Sequence, residues 1–193
     1  MEVLDLKKEY KEKILPELRN ELGGVNIYEA PAVKKVVINI GVGRLLASRK
    51  LAGTQKSEEE AIADIIEALA FISGQRPQIM KARKSIAGFK LRQGTIVGLR
   101  TTLRKRRMYD FIARMVHTAL PRTRDFRGIP LKSVDKSGNL NMGIPDISVF
   151  PDAPQLGNFT MGLEVTLVTN TRDRDAAIKL FRMMGVPLQT DKK

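Results

Sequence analysis

Sixteen of the chain's 34 Lys and Arg residues fall in the 57 positions from Arg76 to Lys132, with only Asp110 and Asp125 to offset them. The rest of the chain carries 18 basic and 19 acidic side chains, so the whole formal net charge of +13 resides in that one stretch. Apolar residues still recur regularly through it. The segment therefore has to fold with its core positions turned in and its cations turned out, toward solvent and counterions or toward a polyanion. Most of the cations are Arg, which forks onto phosphate and guanine edges and stacks on bases, where Lys acts as a point charge. A nucleic acid or an acidic membrane surface is the expected partner class.

At 193 residues and 21.6 kDa, residues 1–193 are read as a single domain with a core large enough to need no covalent staples. With no Cys and one His, disulfides, iron–sulfur clusters and thiol nucleophiles are excluded, a structural zinc site is disfavoured and a reducing compartment fits. Asp5, Glu9 and Glu12 near the start are unlike a targeting peptide, and no apolar run approaches membrane-spanning length.

Residues 1–24 read as an N-terminal helical segment. Tyr10, Ile14, Leu18 and Leu22 recur at helical spacing over 3–22, Pro16 should kink or divide the helix, and Gly23-Gly24 should end it. Residues 34–40 alternate as a strand, with Val36, Ile38 and Ile40 on one side and Lys35, Val37 and Asn39 on the other. Gly41-Val42-Gly43 opens like a dinucleotide fingerprint, but Leu46 stands where its third glycine belongs, so a flexible turn is expected. Residues 44–60 read as a loop ending in the capping box Ser57-Glu58-Glu59-Glu60, whose helix runs through Ile62, Ile65, Ile66, Leu69 and Ile72 to Gly74.

A strand is expected around Pro77–Met80, then a long exposed basic loop over 81–89. A further strand over 95–104 places Val97, Leu99, Thr101 and Leu103 on one face and Arg100, Thr102 and Arg104 on the other. Met108, Phe111, Ile112, Met115, Val116 and Ala119 form the core stripe of a helix from Lys105 to Leu120 that Pro121 ends, with His117 beside the stripe. A basic loop over 121–130 follows, then a turn at Ser137-Gly138-Asn139, a short strand over 147–150 and a strand over 161–169 with Leu163, Val165 and Leu167 inward. Thr171 is expected to cap a last helix that buries Ala177, Leu180, Phe181 and Met184 and stops at Gly185. The order α-β-α-β-β-α-β-β-α predicts an α+β fold: a largely antiparallel β-sheet, helices packed on one face, and long basic loops.

Two stretches, 81–94 (Lys-Ala-Arg-Lys-Ser-Ile-Ala-Gly-Phe-Lys-Leu-Arg-Gln-Gly) and 119–128 (Ala-Leu-Pro-Arg-Thr-Arg-Asp-Phe-Arg-Gly), closely resemble the bacterial large-subunit ribosomal protein five family. Ile38-Asn39-Ile40-Gly41-Val42-Gly43, Ser73-Gly74-Gln75-Arg76-Pro77 and Phe150-Pro151-Asp152 extend the match over nearly the whole chain. The resemblance implies an antiparallel sheet backed by helices and a structural role in translation, cytoplasmic and ribosome-bound. It implies attachment of 5S rRNA to the large subunit in the central protuberance, contacts with large-subunit rRNA and neighbouring large-subunit proteins, a basic loop reaching the elbow of P-site tRNA, and a bridge to a protein of the small-subunit head.

Carried over position by position, the 5S rRNA-binding residues are Lys35, Asn39, Gln75, Phe89, Arg92 and Thr102, and the tRNA-contacting loop is Lys81, Arg83, Lys84 and Ser85. Arg100, Arg104, Arg122, Arg124 and Arg127 are expected to add phosphate contacts. Phe89 could stack on an unpaired base or pack in the core, and Asn39 could read RNA or cap a strand end. Three departures stand out. Residues 44–60 look inserted, by about ten residues relative to the usual family member; Lys105 replaces the usual Gly after Leu-Arg; and Asp146-Ile147 replaces the usual Glu-Gln.

A nuclease or RNA-modifying enzyme is the main alternative. A metal nuclease would need clustered carboxylates that the basic stretch lacks, and a triad would have to recruit His117. Neither Gly-x-Ser-x-Gly nor a P-loop is present. No catalytic residue, metal or cofactor is expected. Membrane-surface attachment is disfavoured, because the basic stretch spans loops and strands and its one helix carries a core stripe.

Overall fold

The computed structural model describes residues 5–24, 26–46, 58–89, 91–153 and 161–190. Five strands, β1 (Val33–Gly41), β2 (Gln78–Lys81), β3 (Ile96–Leu103), β4 (Leu140–Ile144) and β5 (Leu163–Thr169), form one sheet in the order β2-β3-β1-β5-β4, antiparallel throughout. Val36, Ile38 and Ile40 of β1 pair with Leu103, Thr101 and Leu99 of β3, and all six point into the core. The residues of the other face stay half-buried or exposed except for Gly98, which leaves that face open.

Helices pack on the inner face, as the sheet's alternation demands. Leu6–Glu9, Tyr10–Ile14 and Leu15–Glu21 follow one another without a break as α1. Lys105–Arg114, Met115–Ala119 and Leu120–Arg122 do the same as α3. Pro16 and Pro121 neither divide nor end these helices. Each sits just after a π-helical turn, in which Leu15 N–H donates to Tyr10 O and Leu120 N–H donates to Met115 O. A proline ring lacks a donor and collides with the carbonyl four residues back, and widening the preceding turn makes room for it. Gly23 and Gly24 end α1 at positive φ, with Gly24 N–H bonded to Arg19 O at 2.8 Å.

α2 (Ala63–Ser73) is preceded by a separate turn, Glu58–Ala61. The expected continuous helix breaks at Ile62, which leaves helical geometry at φ −113° and ψ 5° while its side chain is fully buried. Ser57 and most of the 44–60 insertion lie outside the described residues, although 43–46 form a helical turn. α4 (Arg174–Met183) is capped by Asp173, whose carboxylate accepts from Asp175 N–H, rather than by Thr171, whose hydroxyl accepts from Asp173 N–H.

The fourth strand differs from expectation. Residues 147–150 do not form one: Asp146 accepts from the amide and hydroxyl of Ser148 and curls Ile147–Val149 into a 3₁₀ turn. The pairing with β5 is made instead by Leu140–Ile144, where Leu140, Met142 and Ile144 are buried.

One core joins sheet and helices. Phe111 of α3 stacks on Phe150 at 5.9 Å between ring centroids, both nearly inaccessible. Tyr10 of α1 donates to Pro31 O at 2.9 Å and lies 6.0 Å from Tyr109 of α3. Burial, with Tyr109 adding to it, pushes the Tyr10 hydroxyl up to about 12. Asn170 holds the entry to β1 by accepting from Ala32 N–H at 2.7 Å and donating to Ala30 O at 2.9 Å.

Lys105 opens α3 at the strand-to-helix turn with φ +54°. That left-handed conformation costs a side-chain-bearing residue about 1 kcal/mol. Lys105→Gly should therefore stabilise the free protein by about 0.5–1 kcal/mol, measured by urea unfolding.

Candidate nucleic-acid interface

Paired residues of neighbouring strands share a face, so the registers define rows across the open side. One row runs Gln78–Arg100–Asn39–Glu164–Gly143 over all five strands. Gln78, Arg100, Asn39 and Glu164 are exposed, and Arg100 Nη2 donates to Gln78 Oε1 at 3.2 Å. The next row runs Thr102–Val37–Thr166–Asn141, with Thr166 Oγ1 donating to Asn141 Oδ1 at 2.8 Å. Lys35 stands beyond it, opposite Val168, and Arg104 extends the outward alternation of Arg100 and Thr102 just past β3. The β2–β3–β1 half is thus rich in cations and amides, while the β5–β4 half carries Glu164 and uncharged groups.

The expected 5S positions do not all meet on this face. Lys35, Asn39 and Thr102 share it. Asn39 is mid-strand, which removes the strand-end cap as its role. Gln75 lies at the end of the sheet where β3 passes into α3, and its Oε1 accepts from Arg107 Nη1 at 3.4 Å. Phe89 and Arg92 lie at the opposite end, on an arm that extends the β2–β3 hairpin. Phe89 is 82% exposed in a 3₁₀ turn (Ala87–Phe89), which rules out core packing.

The arm is folded rather than loose. Ile86 and Leu91 form an isolated bridge, Ala82 N–H bonds to Thr95 O at 2.9 Å, and Ser85 Oγ accepts from Gln93 N–H at 2.9 Å. Lys81, Arg83, Lys84 and Ser85 are all exposed along it. Arg122, the last residue of α3, and Arg124 and Arg127, on the loop after it, are exposed, and Arg122 and Arg124 border an open depression of about 560 Å³ together with Asp146 and Ser148.

Two groups are beyond the reach of the sequence. Arg114, one of the clustered cations, is committed to the fold: it pairs with Asp152 at 2.8 Å and donates to Ile72 O at 2.8 Å. Glu164 stands beside Asn39 on the open face, and only the strand order reveals that neighbour.

A helix-backed antiparallel sheet whose cation-rich outer face has no helix over it among the described residues, together with a basic arm, defines a binding protein for a polyanionic surface. Comparison with known proteins identifies the family. Residues 26–92 match the family described as ribosomal protein L5, and residues 96–188 match the model of that ribosomal family's C-terminus. The large ribosomal subunit protein uL5 of Syntrophomonas wolfei is 41% identical over 182 residues, covering 93% of this chain and 96% of its own. That of Dichelobacter nodosus is 38% identical, covering 95% and 98%, and uL5c of Emiliania huxleyi is 42% identical, covering 96% and 97%. The chain belongs to the ribosomal protein L5 family, a family of structural, non-enzymatic proteins.

Proposed function

We propose that this chain is a structural constituent of the large ribosomal subunit that binds 5S rRNA along its open sheet face and helps attach it to the subunit in the central protuberance. The observation that carries the reading is the uncovered face itself, where Lys35, Asn39, Arg100, Thr102 and Arg104 stand together with no described helix over them. Amide and hydroxyl groups suit base edges and ribose hydroxyls, and the flanking cations suit phosphates. Phe89, exposed at the arm tip, would stack on an unpaired base, and Arg92 on the same arm would meet phosphate. Further along the arm, Lys81, Arg83, Lys84 and Ser85 would meet the elbow of the P-site tRNA. Arg122 at the end of α3, with Arg124 and Arg127 on the loop after it, would supply phosphate contacts to rRNA, and a remaining surface would touch a small-subunit head protein.

Asn39→Ala and Thr102→Ala are each expected to weaken binding of a 5S transcript about tenfold in a filter-binding titration, with unchanged thermal unfolding. For about six neutralised phosphates the log–log salt slope should be on the order of −4 to −5. Full affinity in both variants, or binding as tight at 500 mM as at 50 mM salt, would remove the open face as the RNA surface.

A further inference from the structure

Glu164 is out of place on a surface that attracts phosphate. It is exposed, it stands directly opposite Asn39 in the β1–β5 register, and the nearest cation in its row, Arg100, is engaged by Gln78. None of the ion pairs among the described residues includes it. A lone carboxylate here repels the RNA backbone, so its presence needs a favourable contact with something other than phosphate.

RNA offers such a contact on its bases. Guanine presents two adjacent donors on its Watson–Crick edge, N1–H and N2–H, at the spacing of the two oxygens of a carboxylate, whereas uracil and adenine present one donor flanked by acceptors or beside one. The surroundings leave space for a flat base. Gly143, on the far side of Glu164, has open space where a side chain would be. In the adjacent row toward the arm, Gly41, which pairs with Gly98, likewise has open space where a side chain would be.

From this arrangement we infer that Glu164 and Asn39 form a base-reading pair, with the carboxylate accepting N1–H and N2–H of one unpaired guanine of 5S rRNA and the Asn39 amide bonding a neighbouring base-edge or ribose group. The inference rests on the open face being the 5S surface, and it adds a specificity determinant to a face otherwise read by charge.

Kethoxal, which modifies N1 and N2 of unpaired guanines, gives the test. A lightly modified 5S transcript is bound to the wild-type protein and to Glu164→Gln, and adducts are mapped in the bound and free fractions. One guanine adduct is expected to be excluded from the wild-type complex and tolerated by Glu164→Gln. That variant should also lose about tenfold in affinity for the unmodified transcript while keeping its salt slope. Equal or tighter binding by Glu164→Gln, or exclusion of the same adduct by both proteins, overturns the base-reading role. Failure of the wild-type protein to retain even the unmodified transcript overturns the 5S reading of the face.

Discussion

Neutralising Lys35, Arg100 and Arg104 together, as the triple Ala variant, should lower affinity for a 5S transcript at least about a hundredfold. It should also make the log–log salt slope shallower by about three, one for each lost phosphate contact. Lys35 is half-buried and the two Arg are exposed. Among the described residues, the hydrogen bond of Arg100 to Gln78 is the one these three side chains make, so unfolding should barely change. Fluorescence anisotropy across a salt series measures both affinity and slope. A lower affinity with an unaltered slope would mean that the three cations act through the fold or through bases instead of through phosphates.

The largest effect on stability is expected at Phe111. Its ring is fully buried against Phe150, where α3 meets the segment that follows the Ile147–Val149 turn. Phe111→Ala removes that contact and leaves a cavity that rigid neighbours cannot fill, at a cost of about 3–5 kcal/mol. Urea unfolding should show this as a lowered midpoint at unchanged slope. A cost below about 1 kcal/mol would mean that helix and turn close over the gap.

Sequence periodicity locates the open face because a strand's two sides are separated by parity alone. Lys35, Asn39, Arg100 and Thr102 point outward for the same reason that Val36, Ile38, Leu99 and Leu103 point inward. What periodicity lacks is the neighbour relation. Glu164 alternates outward between Leu163 and Val165, but its place beside Asn39 depends on β1 inserting between β3 and β5, which is a long-range fact. Periodicity misplaces the fourth strand because Ile147 to Phe150 is the more apolar stretch, while Asn141 and Gly143 dilute the true one. There a side chain decides the matter, since Asp146 satisfies local donors better than a ladder could. The cations of the arm are legible as exposed, whereas the commitment of Arg114 to Asp152 and Ile72 is not, because its partners lie about 40 residues away in the chain.

The central position of β1 bears on how the chain can be made. Its partners on either side, β3 and β5, begin 55 and 122 residues after the last residue of β1. During synthesis, at about 5–20 residues per second, β1 therefore waits for several seconds or longer with both edges unpaired and an apolar side uncovered. Long-range pairing of this kind folds slowly and is exposed to aggregation until it closes. The outward rows that cross all five strands cannot exist on a half-made polypeptide, so a nascent chain has no finished sheet to offer. The five-stranded platform is in this way restricted to molecules translated at least through Thr169.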